Sequence, residues 1–363
     1  MECSEKLTWK TDTRDELEQI QIESPDEQVR KAVQRNWDAI AKPLDGMGRF
    51  EKLIAQIGAV TRTEKVALSK KAVLMFCADN GIVEEGISQS GQEVTTAVAM
   101  SMGKKQSSVC RMAKVAGADT IPVDIGINGE DEIPGVLNRK IRKGTRNFRK
   151  EPAMTEQETI RGIAVGIELV RQCRQQGYDI LATGEMGIGN TTTSSAVTAA
   201  LLWEPAERVT GRGAGLNDAG LLRKQCIVTE AIQKYDLAHA DALTILETVG
   251  GLDLAGLTGM CIGGALYHVP IVLDGIISMA AALTAERLVP GTKAYLLPSH
   301  KGKEPAAALL AEALNMEPVI AGGLALGEGT GAVMMFSLLD LAMSIYEANT
   351  TFSDIQVEQY TRF

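Results

Sequence analysis

The sequence predicts an α/β protein, a parallel sheet with helices on both faces in a Rossmann-like arrangement. Two observations carry this. Short apolar runs that could be buried strands alternate with longer helical segments. Glycine-rich loops then follow several of those runs, where ligands bind in parallel sheets. Composition agrees. Of 363 residues, 45% are hydrophobic and only 4% aromatic, while glycine is frequent. That balance favours tight-looped α/β architecture over a β-sandwich or a base-stacking nucleic-acid binder.

Taking the elements in order, residues 1–30 are charged with few apolar anchors and read as a loose arm or a solvated helix. Residues 25–57 are helical in pattern, interrupted by the turn Lys42-Pro43-Leu44-Asp45-Gly46. Residues 72–78 form a compact apolar run, short enough for a buried strand. It ends at Asp79-Asn80-Gly81, a turn signal. Further strands are expected over 120–125, 180–183, 270–273, 294–297 and 318–321. Helices are expected over 93–116, 155–176, 192–202, 216–235 and 276–288. Thr155 and Glu158 have capping-box spacing at the start of one helix. The expected division is a helical region over 1–70 packing with a C-terminal helix over 332–363, and an α/β catalytic domain over 71–331.

Several function classes lose support. A net charge of −9 gives no global electrostatic case for nucleic acid or a membrane surface. The basic run from Arg139 to Lys150 reads as a solvated face. The long apolar stretches are broken by Gly, Pro or charge, so no membrane span is expected. The N-terminal residues lack the apolar core of a signal peptide. Six cysteines without a Cys-x-x-Cys pair point to reduced thiols in a cytoplasmic protein. His239, His268 and His300 are scattered, so no metal site is expected. No Gly-x-Ser-x-Gly nucleophile elbow is present.

The loops hold the candidate chemistry. Gly184-Glu185-Met186-Gly187-Ile188-Gly189-Asn190-Thr191-Thr192 follows a strand and opens a helix. Its amides and hydroxyls suit a phosphate, although a tight strand-to-helix turn explains it too. Thr210-Gly211-Arg212-Gly213 precedes a second helix carrying Lys224; either cation could neutralise a phosphate or be solvated. Gly-x-Gly-x-Gly is not the dinucleotide spacing, so a nicotinamide cofactor is poorly supported. Asp79 and Ser88 follow the first strand, where they line a site or simply turn the chain, and Ser299 and His300 follow a later one, where the histidine meets a ligand or only structures its loop. Glu328 sits between glycines in Leu326-Gly327-Glu328-Gly329-Thr330-Gly331. Two acids in glycine cradles suggest polar chemistry at a buried small molecule.

Taken together, these motifs resemble nicotinate-nucleotide–dimethylbenzimidazole phosphoribosyltransferases, enzymes of cobalamin lower-ligand assembly. Other matching signposts are Val123-Asp124-Ile125-Gly126, Gly144-Thr145-Arg146-Asn147, Pro152-Ala153-Met154-Thr155 and Asp274-Gly275. The resemblance spans about residues 41–341. It implies a parallel α/β domain with a smaller helical region, assembled as a homodimer. It implies transfer of phosphoribose from nicotinate mononucleotide to 5,6-dimethylbenzimidazole or a related base, without a cofactor. Glu328 matches the catalytic base, Glu185 a second pocket acid and Lys224 a nucleotide-site lysine. The implied substrate-binding set adds Met186, Gly187, Gly189, Asn190, Thr191, Gly211, Arg212, Gly213, Asp79, Ser88, Ser299, His300 and Gly327. The chain departs from the family pattern at Gln89-Ser90-Gly91 and at Lys303-Glu304-Pro305-Ala306. The acceptor base is therefore left open, as is a non-catalytic nucleotide-binding protein on the same fold.

Overall fold

A computed structural model describes residues 12–129, 132–348 and 350–362. Its centre is a six-stranded, all-parallel sheet: β1 (Lys71–Ala78), β2 (Ala118–Gly126), β3 (Leu137–Asn138), β4 (Ile180–Met186), β5 (Ile271–Leu273) and β6 (Leu296–Pro298). The strand order is β3-β2-β1-β4-β5-β6. Connections therefore run outward in opposite directions from β1 and β4. A crevice is expected at the C-terminal ends of those two strands.

β1 shows why the sheet is buried. Leu74, Phe76 and Ala78 point into the core on one face; Val73, Met75 and Cys77 point into the core on the other. Each large apolar side chain removed from water contributes roughly 1.5–3 kcal/mol. An unbroken apolar run is what a strand covered on both faces requires.

The first face is covered by helices that include Glu156–Gln175, Asn190–Leu202, Leu252–Leu266 and Ile276–Leu288. The second is covered by Glu27–Ala39, Arg49–Thr61, Glu93–Gly103, Ser108–Val115 and Thr330–Ala348. Val33, Trp37 and Ile54 share one apolar cluster with Val333, Phe336 and Leu339. The N-terminal helices and the last helix thus pack on each other and on the sheet. Arg362 adds ion pairs to Asp38 and Asp45.

Several elements differ from expectation. Residues 318–321 form no sheet strand; Ile320 makes one isolated parallel bridge with His300. Val319 and Ile320 both donate to the Ser299 carbonyl, and the chain then turns away at Gly323 with φ +62°. The strand expected over 294–297 begins at Leu296, because Thr292–Tyr295 forms a 3₁₀ turn. The helix expected over 93–116 is two helices. Lys105 is left-handed, and the Ser107 hydroxyl caps the second by accepting from the Cys110 N–H. The last helix ends at Ala348, and residues 350–362 hold turns and extended chain. Helices Ala242–Val249, Leu252–Leu266 and Ala306–Leu314 were not anticipated. The Thr155–Glu158 capping box forms as expected.

Among the described residues no helix is long and apolar enough to cross a membrane. Cys77, Cys110, Cys173 and Cys261 are buried free thiols, and Cys226 is exposed. Cys3 and the first part of the N-terminal arm lie outside the described residues.

Candidate active site

The C-terminal ends of β4, β5 and β6 open onto one cleft of about 330 Å³. β4 supplies Glu185 and Met186, then Gly187, Asn190 and Thr191. The loop after β5 supplies Asp274 and Gly275, and the loop after β6 supplies His300. Gly327 and Glu328 close the rim, and Gly213 and Ala214 lie at the other side.

The two acidic loops touch backbone to backbone. A Cβ on Gly329 would lie 2.8 Å from the Thr183 carbonyl oxygen, and one on Gly184 would sit 2.7 Å from the Met75 side chain. Gly327, Glu328 and Gly329 have φ of +83°, +62° and +98°. Glycine adopts such angles freely, whereas for glutamate they cost about 1–2 kcal/mol. Glu328 is therefore held in a sparsely populated conformation by the glycines around it. Its carboxylate is half-buried, and Oε2 accepts the Val109 N–H at 3.2 Å. That N–H belongs to the first turn of Ser108–Val115, whose partial positive charge favours an anion.

Glu185 sits in a different environment. It is buried and accepts a hydrogen bond from the Asn190 amide. Burial pushes its pKa up to about 8, reinforced by Asp253 and Asp274, with Asn190 and the Glu328 backbone N–H partly offsetting. Asp253 is also buried, and burial pushes its pKa up to about 6 against the amides of Asn190 and Asn80. Asp274 accepts from the N–H groups of Gly329, Gly331 and Ala332 at 3.3, 2.8 and 3.1 Å. It thereby caps the last helix. Burial raises its pKa, while His300 and these donors act the other way. Ser299 Oγ lies 3.0 Å from His300 Nδ1.

Lys224 is fully buried on helix Asp218–Lys234. Its Nζ donates to Thr191 Oγ1 at 2.8 Å and to the Gly211 carbonyl at 3.3 Å. Burial lowers its pKa to about 8, with Glu304 acting in the opposite direction. A buried ammonium whose hydrogen bonds go to neutral oxygens, with Glu304 as a nearby counter-charge, is an attractor for an anion.

The structure brings most of the expected residues together. Glu185, Met186, Gly187, Asn190, Thr191, Gly213, His300, Gly327 and Glu328 line the cleft. Ser88, Gly189 and Arg212 line a smaller adjoining hollow instead. Arg212 pairs with Asp218 at the surface. Gly211 and Lys224 lie just behind the Gly213 loop. Asp79 and Ser299 are buried outside the cleft lining. The Asp79 carboxylate accepts the Asn128 N–H at 2.8 Å, bracing the loops after β1 and β2. Burial raises its pKa. Reasoning from the sequence did not select Asp253, Asp274 or Glu304 as site residues. A lone acid in the first turn of the apolar helix Leu252–Leu266 was the available signal for Asp253. Among the described residues, no group of three His, Cys, Asp or Glu is placed to hold a metal.

Comparison with known proteins shows the family. A family model described as phosphoribosyltransferase matches residues 22–357. The nicotinate-nucleotide–dimethylbenzimidazole phosphoribosyltransferase of Acetivibrio thermocellus is 44% identical over 90% of this chain and 93% of its own. The protein of the same name from Chloroflexus aurantiacus is 38% identical over 93% of this chain and 97% of its own. The crystal structure of CobT from Thermus thermophilus superposes with a TM-score of 0.87 at 36% identity. The match covers 92% of this chain and all of that one.

Proposed function

The chain belongs to the nicotinate-nucleotide–dimethylbenzimidazole phosphoribosyltransferase family, and on that premise we propose that it transfers phosphoribose from nicotinate mononucleotide to 5,6-dimethylbenzimidazole or a related base. The products are an α-ribazole 5′-phosphate, for cobalamin lower-ligand assembly, and nicotinate. The observation that carries this reading is the shared cleft. Two acids border it, and a buried lysine backs a glycine loop at its other side.

The 5′-phosphate is held by the Gly213 loop, Thr191 and Lys224, which fixes ribose C1′ in the cleft. The half-buried Glu328 carboxylate removes the azole N–H proton, and the other ring nitrogen attacks C1′. Nicotinate leaves from the opposite face as a neutral pyridine ring, which inverts β to α. Positive charge develops on the ribose beside Glu185, and the negative potential of Asp253 and Asp274 behind that residue favours the charge. Glu185 holds its proton near neutral pH, so it donates a hydrogen bond where a carboxylate could not.

The family resemblance further supports a cytoplasmic homodimer. Sedimentation at equilibrium would check the assembly, and a monomer at all concentrations would overturn it. For the reaction, the protein is incubated with nicotinate mononucleotide and a panel of benzimidazoles, adenine and phenols. Mass spectrometry should find a ribotide of one base with equimolar nicotinate. No nicotinate release with any base would favour a binding-only protein.

A further inference from the structure

One acid in the cleft has no part in the transfer chemistry. Glu304 follows the His300 loop and lines the cleft beside Gly213 and Thr191. Its Oε1 accepts the Gly213 backbone N–H at 3.1 Å. Its Oε2 is buried and has no hydrogen-bond partner among the described residues. A side chain on Gly211 would collide with this carboxylate. Lys224 reaches the same loop from behind, donating to the Gly211 carbonyl. A carboxylate therefore already rests where a backbone amide and a buried ammonium converge.

We propose that Glu304 is a resident anion in the phosphate seat, displaced from the Gly213 amide when the substrate's 5′-phosphate arrives. The proposal rests on the reading of this cleft as a nucleotide site. Its physical basis is competition. Carboxylate and phosphate seek the same donors, and two anions a few ångströms apart repel strongly where water is excluded. Before phosphate binds, Glu304 offsets the buried Lys224 charge, which would otherwise stand uncompensated. A phosphate dianion brings more charge and more acceptor oxygens than one carboxylate, so it wins the seat. A ligand without phosphate cannot. Glu304 thus tempers the affinity of the seat for phosphorylated ligands and leaves that for unphosphorylated ones unaltered.

The test is calorimetric titration of wild type, Glu304→Gln and Glu304→Asp with inorganic phosphate, nicotinate mononucleotide and its unphosphorylated riboside. Glutamine keeps an acceptor for Gly213 while removing the charge; aspartate is too short to reach it. Phosphate and the mononucleotide should bind about five- to tenfold more tightly to both variants, with riboside affinity unchanged. Equal or weaker phosphate binding would overturn the proposal, as would an equal gain for the riboside. Hydrogen exchange on the wild type needs no variant. The backbone N–H groups of residues 301–304 should exchange faster with phosphate bound, and slower exchange there would count against displacement. If wild type binds the mononucleotide no better than the riboside, the nucleotide-site reading itself has failed, before any variant is made.

Discussion

Glu185 and Glu328 both stand among glycines, at loops whose backbones touch, yet the fold treats them differently. Glu185 belongs to a sheet strand, is buried, and has Asp253 and Asp274 for neighbours. Glu328 belongs to a left-handed turn, is half-buried, and accepts from a helix N-terminus. The first environment opposes ionisation, whereas the second supplies a donor to a carboxylate. On the proposed reading, two identical side chains are thereby given opposite duties, one to keep a proton and one to take it. Neighbouring carboxyl groups divide acid and base work in this way when their surroundings differ.

The strongest way to break that comparison is Glu328→Gln. Turnover with dimethylbenzimidazole should fall about 10²- to 10⁴-fold, while the melting temperature stays near wild type because the glutamine amide keeps an acceptor for Val109. A fully active variant would remove Glu328 from the base role. Lys224→Met comes next. It should raise KM for nicotinate mononucleotide about 10- to 100-fold, the loss of one charge-assisted contact to phosphate. Steady-state kinetics would show this, and an unchanged KM would move the phosphate elsewhere.

The smallest effect is on stability. The folded pKa of Glu185, about 8, lies above its ordinary value of 4.5. The folded protein keeps this proton while the unfolded chain loses it, so stability falls as pH rises between those two values. Glu185→Gln should flatten that fall. Its melting temperature should exceed wild type near pH 8, by about 2–4 °C for each kcal/mol recovered, and should match it near pH 4. A variant equally shifted at both pH values would mean that Glu185 is ionised in the native protein.

Much of this was legible in the sequence, for identifiable reasons. β1 announced itself because a strand buried on both faces must be apolar throughout. The cleft loops announced themselves because close backbone approach demands glycine. Elements governed by long-range contacts were hidden. Residues 318–321 have strand composition, yet they bond to residues 299–301 through one isolated bridge rather than a sheet ladder. β3 is two residues long and exists only because β2 offers an edge. Asp253 was obscured because a single acid in an apolar helix becomes meaningful only when Asn190 and Glu185 are brought beside it by the fold.

The Asp274 cap has a consequence for how this chain can vary over evolution. Its carboxylate grips the N–H groups of residues 329, 331 and 332 from the end of a neighbouring strand. Those grips count the residues between Glu328 and the final helix. Inserting or deleting one residue there would rotate the helix start by about 100° and swing the acid out of the cleft. The segment over 321–326 is mostly exposed and bound by no such grip. Length changes should accumulate in that stretch, while the spacing from Glu328 to Ala332 stays constant among descendants that retain the activity.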